Sequence, residues 1–170
     1  MSAPAKELVP LQLDGVIAYP EDVAAQYRER GYWIGQTHSD LLAKTVSDHA
    51  DRVAVVDSVR TLTYAQLGER VQLVAGELAS RGIGRGDRVV VHLPNTVEFV
   101  EIVFGLFELG ALPVFALAAH RLAEIRQFCA DTSARAYVTV DRVGLTSYRD
   151  IAADIAREIP SVATVLVPAG

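Results

Sequence analysis

The chain has 170 residues, 51% hydrophobic and 22% charged, which suits one globular domain with enough apolar side chains for a packed core. Its net charge of −5 comes from 21 acidic and 16 basic residues without a block of like charge, so neither nucleic acid nor an anionic membrane is an expected partner. The single cysteine, Cys129, excludes an internal disulfide. The longest apolar stretch, 103–119, is interrupted by Glu108, Gly110 and Pro113 and is too short and broken to span a bilayer. Residues 1–10 lack the apolar core of a signal peptide, and a soluble cytoplasmic protein is expected.

In chain order, residues 21–30 read as a helix behind Pro20, 39–50 as a second helix behind a Ser39 or Asp40 cap, and 53–56 as a strand. This divides the chain into an N-terminal helical lead-in, 1–52, and an α/β portion, 53–170. Thr63 is placed as an N-cap, with Gln66 completing a capping box and Leu62 and Leu67 at the two staple positions. Tyr64, Leu67, Val71, Val74 and Leu78 then line one helical face, and Gly82 stops the helix. Residues 89–93 form a β-branched run suited to a buried parallel strand, halted by Pro94. Asn95 with Glu98 repeats the cap-plus-acid pattern, and Val97, Val100, Phe104 and Phe107 carry a helix to Gly110. Strand 112–117, helix 120–130 and strand 136–140 follow. Tyr148, Ile151 and Ile155 mark a last helix, and 164–167 a last strand. This alternation predicts an α/β fold, a mainly parallel sheet with helices on both faces.

Several residues invite a chemical reading. The run Gly82-Ile83-Gly84-Arg85-Gly86 follows a helix and precedes a strand, the reverse of a phosphate-cradling turn, so it reads as a helix cap and turn. Neither lysine, Lys6 or Lys44, follows a glycine loop, which removes a Walker motif. His38, His49, His92 and His120 are scattered without ligand spacing. His92 reads as a hydrogen-bonded core or edge histidine. His120 lies at a strand-to-helix joint, where open α/β sheets bind ligands, and is assigned to capping or the surface. Cys129 reads as a small buried residue and not a nucleophile. Arg81, Arg85 and Arg88 read as a solvated turn in preference to an anion site. Ser58 follows a strand but lacks a nucleophile elbow around it. Asp57 at a strand end raises a phosphoacceptor domain, weakened by the lack of any lysine after Lys44.

The blocks Leu62-Thr63-Tyr64-Ala65-Gln66-Leu67 and Leu109-Gly110-Ala111-Leu112-Pro113-Val114, with Gly86-Asp87-Arg88-Val89 and Leu93-Pro94-Asn95 between them, resemble the opening of the adenylate-forming ligases. Tyr19-Pro20-Glu21, Tyr27-Arg28-Glu29-Arg30 and Gly31-Tyr32-Trp33, with Pro113 to Leu117 and His120-Arg121, resemble the stand-alone ligases that activate 2,3-dihydroxybenzoate or salicylate for siderophore assembly. The resemblance covers nearly all of this chain but only the first part of a longer family chain.

The resemblance implies a parent enzyme using ATP and Mg²⁺. An aryl carboxylic acid becomes an aryl-adenylate with release of pyrophosphate, and the phosphopantetheine thiol of a carrier protein then takes the aryl group. The family's phosphate loop, ribose-binding aspartate and catalytic lysine would lie after residue 170. Within this chain no catalytic, cofactor-binding or metal-ligating residue is therefore assigned, and Tyr64 and Gly110 are read as a helix start and a helix stop. Alone, the chain is expected to be inactive and to associate with the remainder of its own large domain. The alternatives are a self-contained, non-enzymatic α/β binding module and a ligase for a fatty or amino acid.

Overall fold

The computed structural model describes Leu13, residues 16–143 and residues 145–166. The N-terminal decapeptide and Val167 of the expected last strand lie outside them. Contacts divide the chain into residues 1–37 and 38–170.

In the first unit, α1 (Glu21–Glu29) begins directly after Pro20. Glu21 and Asp22 occupy its first turn and Arg28 its last, matching the helix dipole at both ends. The chain then turns back, and the Tyr32 and Trp33 N–H groups both donate to the Tyr27 carbonyl, at 2.9 and 3.2 Å. Trp33 stands edge-on to Tyr19 and Tyr27, with ring centres 5.1 and 5.4 Å apart. The Arg28 guanidinium lies 5.9 Å from the Trp33 ring centre. The three lead-in motifs are thus one aromatic cluster.

The second unit opens with α2 (His38–His49). Ser39 and Asp40 sit inside its first turn, not at the expected cap; there the Asp40 charge still favours the positive helix end. Next, β1 (Val53–Val56) pairs antiparallel with β2 (Thr61–Thr63), a two-stranded sheet of its own. Strand β2 was not expected, because its three residues coincide with a strong helix-start signal. That signal is real. In α3 (Tyr64–Ser80) the Gln66 N–H donates to Thr63 Oγ1 at 3.3 Å and the Thr63 N–H to Gln66 Oε1 at 2.9 Å. Leu62 and Leu67 are both buried. Thr63→Ala is expected to lower stability by about 1 kcal/mol, read as a shift in the urea midpoint.

The main sheet contains β3 (Arg88–His92), β4 (Leu112–Phe115), β5 (Ala136–Thr139) and β8 (Thr164–Leu166), in the order β4-β3-β5-β8 and parallel throughout. Between them run α4 (Val97–Leu109), α5 (Leu122–Asp131) and α6 (Tyr148–Glu158), and a short hairpin, β6 (Arg142–Val143) and β7 (Thr146–Ser147), precedes α6. On one face Val89, Val91, Ala136 and Val138 pack with α3 and α4; on the other Val90 and Tyr137 pack with α5 and α6. The period-two alternation of β3 therefore feeds two cores.

Helix α4 departs from expectation twice. Its N-cap is Thr96, not Asn95, because the Thr96 N–H donates to the Pro94 carbonyl at 2.9 Å and delays the helix by one residue. The Thr96 side chain makes no capping bond. Asp57 supplies the cap from 40 residues away: its Oδ2 accepts the Val97 N–H at 2.9 Å, and its Oδ1 accepts those of Val59 and Arg60 at 2.8 and 2.7 Å. The buried apolar side chains of α4 are Val97, Ile102, Val103 and Leu106, whereas Val100, Phe104 and Phe107 are half-buried. Covered by the sheet on one side and by α2 and α3 on the other, α4 has no single wet face for a simple amphipathic reading to find.

The remaining motif residues hold the helix-to-strand turns. Gly110, at φ 68°, lets the Gly110 and Ala111 N–H groups return to the Phe107 and Leu106 carbonyls, at 3.0 and 2.9 Å. The Gly86 N–H donates to the Gly110 carbonyl at 2.9 Å, and Asp87 Oδ2 accepts the Gly84 N–H at 2.8 Å. The Gly86-Asp87 and Gly110-Ala111 blocks are therefore tied to each other, and each carries a backbone turn.

Candidate functional site

Open parallel sheets bind ligands beyond the carboxyl ends of their strands, where neighbouring strands send their connections in opposite directions. Here β3 leads to β4 on one side and β5 to β8 on the other, so the switch lies beyond His92 and Thr139. Both residues are fully buried. His92 Nδ1 is 2.8 Å from the Tyr137 hydroxyl, and its ring meets Tyr148 edge-on at 4.8 Å. The Thr139 hydroxyl donates to the His92 carbonyl at 3.1 Å. Among the described residues no group meets hydrogen-bond geometry with the buried His92 Nε2.

Loop 116–121 roofs this cluster. The Tyr148 hydroxyl donates to the Ala118 carbonyl at 2.6 Å, and Arg121 Nη1 donates to the carbonyls of Ala118, Ala119 and His120 at 3.1, 3.0 and 3.0 Å. His120 Nδ1 accepts the Leu117 N–H at 3.1 Å. His120, the strand-end candidate, thus caps the loop and is half-buried. Its ring also packs against Phe128, 5.1 Å away.

Burial pushes His92 down to about 4 and the Tyr137 hydroxyl upward, so both are neutral at pH 7. A histidine held neutral here is suited to fixing a loop, and the cluster is a structural latch in keeping with a core histidine. Because folding lowers the His92 pKa, its contribution is complete above the unfolded value, near 6.5, and is lost as pH falls from there toward 4. Urea midpoints of the wild type should fall over that window, and His92→Gln should flatten the decline. Parallel profiles would contradict this.

The surroundings of the other candidates are as follows. Cys129 is buried with its thiol pushed up to about 11 by desolvation, the opposite of an activated nucleophile. Arg81 pairs with Glu77 at 2.7 Å, the Arg85 stem lies against Gly110, and Arg88 opens β3. The glycine run donates inward through Gly82 to Ala79, Ile83 to Leu78, Gly84 to Asp87 and Gly86 to Gly110, leaving those N–H groups unable to cradle phosphates. His38 packs on Phe107, with ring centres 4.6 Å apart, and His49 closes α2. Ser58 is exposed in the turn that Asp57 organises. Among the described residues no three His, Cys, Asp or Glu side chains converge on a metal position, and no helix is long and apolar enough to cross a membrane.

A cavity of about 500 Å³ lies elsewhere, on the α3/α4 face beside β8. Val74, Leu78, Ile102, Val138 and Leu166 give it an apolar lining. Its rim carries the ion pairs Arg60–Glu98, Arg70–Glu101 and Arg81–Glu77. Sequence reasoning did not identify this groove, since four separate elements contribute to it.

Known proteins share this architecture. The chain is 39% identical over 155 residues to the 2,3-dihydroxybenzoate-AMP ligase of Bacillus subtilis and 48% identical over 155 residues to triostin synthetase I of Streptomyces triostinicus, each alignment covering 91% of this chain. It superposes on the apo structure of Mycobacterium smegmatis MbtA with a TM-score of 0.84 and 40% identity, over 90% of this chain and 28% of that one. The chain spans 29% of the length of each of the two relatives, aligning with their N-terminal part. The AMP-binding enzyme model matches residues 42–169, a span that takes in both sequence blocks, the latch and the groove, and the chain belongs to that family.

Proposed function

We propose that this chain is the N-terminal portion of an aryl-acid AMP ligase. The observation that carries the reading is its similarity, across about nine-tenths of its length, to proteins named for aryl acids: the Bacillus subtilis ligase and, at 36% identity, the salicyl-AMP ligase of Mycobacterium tuberculosis. In this reading residues 53–170 open a large domain whose remainder lies downstream, and the parent works in the cytoplasm on ATP with Mg²⁺. The aryl carboxylate attacks the α-phosphate, pyrophosphate leaves, and a carrier-protein phosphopantetheine thiol then displaces AMP from the mixed anhydride. Carboxylates are weak nucleophiles, so rate comes from alignment and from balancing charge at phosphorus. This chain contributes scaffold: the latch fixes loop 116–121, and the Gly86–Gly110 tie fixes the two turns beneath the sheet.

A second reading keeps the chemistry and moves it out of siderophore assembly. It is favoured by the 48% identity to triostin synthetase I, against 39% for the dihydroxybenzoate ligase. One experiment tests both readings. The full-length protein, ATP, Mg²⁺ and a phosphopantetheinylated aryl carrier protein are incubated with a panel of acids, and the carrier's intact mass is recorded. A gain of a salicyl or dihydroxybenzoyl group supports the first reading, and a gain from another aromatic acid alone supports the second. Loading only by fatty or amino acids would overturn both.

A further inference from the structure

We propose that Arg121 is a positioning residue for the reaction of the parent ligase: its guanidinium, with the Tyr148 hydroxyl, sets loop 116–121 as an apolar wall against which an uncharged segment of a substrate lies. The inference rests on the ligase reading and adds to it a place where substrate is aligned.

The loop leaves β4 and enters α5, so it stands on the carboxyl side of the sheet, beside the switch point where open sheets take ligands. Its six residues are fixed at nearly every joint. The Ala116 N–H donates to the Val91 carbonyl and the His120 N–H to the Leu117 carbonyl, both at 2.9 Å. Arg121 Nη1 donates to three consecutive carbonyls, those of Ala118, Ala119 and His120, at 3.1, 3.0 and 3.0 Å. Three carbonyls converging on one charged nitrogen resemble the coordination of a small cation, with the protein supplying the charge itself.

This placement does little for the helix. Arg121 is the N-cap of α5, yet a guanidinium accepts no hydrogen bond and cannot satisfy the first-turn N–H groups. Its charge also stands at the positive end of the helix dipole. Glu124, whose Oε2 accepts the Arg121 N–H at 2.9 Å, offsets part of that. A residue that serves its loop and not its helix breaks a local rule, and such departures gather at functional sites.

The surface so formed has little free polarity. The Ala118 carbonyl accepts from both Tyr148 and Arg121, and those of Ala119 and His120 accept from Arg121. Leu117 is 68% exposed, and Ala119 is exposed as well. With its carbonyls taken, its outward side chains apolar and the Arg121 charge directed at its own backbone, the loop suits a ring or an alkyl segment, not a triphosphate. Two substrates of the ligase carry such a segment, the aryl acid and the phosphopantetheine arm of the carrier.

Steady-state kinetics of the full-length Arg121→Ala protein test the proposal. KM for the aryl acid in ATP–pyrophosphate exchange, or KM for the carrier protein in loading, should rise at least about tenfold, with KM for ATP within about twofold and Tm within about 2 °C of the wild type. A rise for the acid names the ring as the segment, and a rise for the carrier names the arm. Millimolar methylguanidinium should restore part of the lost rate. Arg121→Lys should keep most of it, since an ammonium offers three donors to the three carbonyls. Tyr148→Phe should move the same KM in the same direction.

Wild-type KM values for acid and carrier in Arg121→Ala would overturn the inference. So would a rise confined to ATP, which would make Arg121 a phosphate contact, or a rate loss that tracks unfolding and ignores methylguanidinium. Exchange by the wild type separates the two readings. Exchange with aromatic acids alongside unchanged KM values in Arg121→Ala defeats this inference alone. A wild type that accepts only fatty or amino acids defeats the aryl-acid reading, and the same KM comparison with the accepted acid still decides this one; a wild type inert toward every acid defeats both.

Discussion

Gly105→Val is expected to destabilise the fold by about 3 kcal/mol, the upper part of the range for overpacking. A Cβ at Gly105 would stand 2.8 Å from Val74 Cγ1 and 3.4 Å from the Ala75 backbone nitrogen, so α3 and α4 touch backbone to backbone here. Val74 cannot swing aside cheaply, because its branched Cβ restricts χ1, and Ala75 N belongs to a regular helix. Urea denaturation should show the loss. The double variant Val74→Ala/Gly105→Ala should recover most of it, since the 2.8 Å approach to Val74 Cγ1 is removed, leaving 3.3 Å to the Cβ at position 74, and alanine favours the helix over glycine by about 1 kcal/mol. A Gly105→Val protein as stable as the parent would show that α3 and α4 do not meet at this distance.

Arg70→Ala should cost a similar amount, about 3 kcal/mol. Arg70 grips Glu101 with two nitrogens, the second bond at 3.1 Å. The Glu101 side chain is 4% exposed and that of Arg70 43%, and this asymmetry decides which variant suffers more. Removing Arg70 leaves a carboxylate buried without its cation, whereas removing Glu101 leaves a guanidinium that still reaches water. Glu101→Leu should therefore cost about 1 kcal/mol or less. Denaturant midpoints of the two single variants check the order, and a larger loss for Glu101→Leu would contradict the burial pattern.

These contacts mark where sequence reading stops. Thr63, Gln66, Gly82 and Gly110 were legible because caps and stops are written within a few residues of the helix end they serve. His92 was legible as a core histidine because it closes a valine run. Asp57 was not, since its capping partner lies 40 residues away and the local pattern offered Asn95 instead. Strand β2 and the β6–β7 hairpin are too short to develop a period. The deep face of α4 was hidden because helices and sheet cover it from two sides. No sequence pattern could assemble the groove from α3, α4, β5 and β8. The candidate site shows the same division: individual roles for His92, His120 and Cys129 could be read singly, but their neighbours Tyr137, Tyr148 and Arg121 became visible only when the strands were placed side by side.

The central claim is that this chain is scaffold for a ligase whose reacting groups lie elsewhere in the polypeptide. Aryl-acid-dependent ATP–pyrophosphate exchange, run in parallel on the 170-residue chain and the full-length protein, tests it most directly. The account predicts exchange with salicylate, 2,3-dihydroxybenzoate or another aromatic acid in the full-length protein and none in the short chain. Exchange by the short chain, or a full-length protein inert toward every aromatic acid, would contradict it.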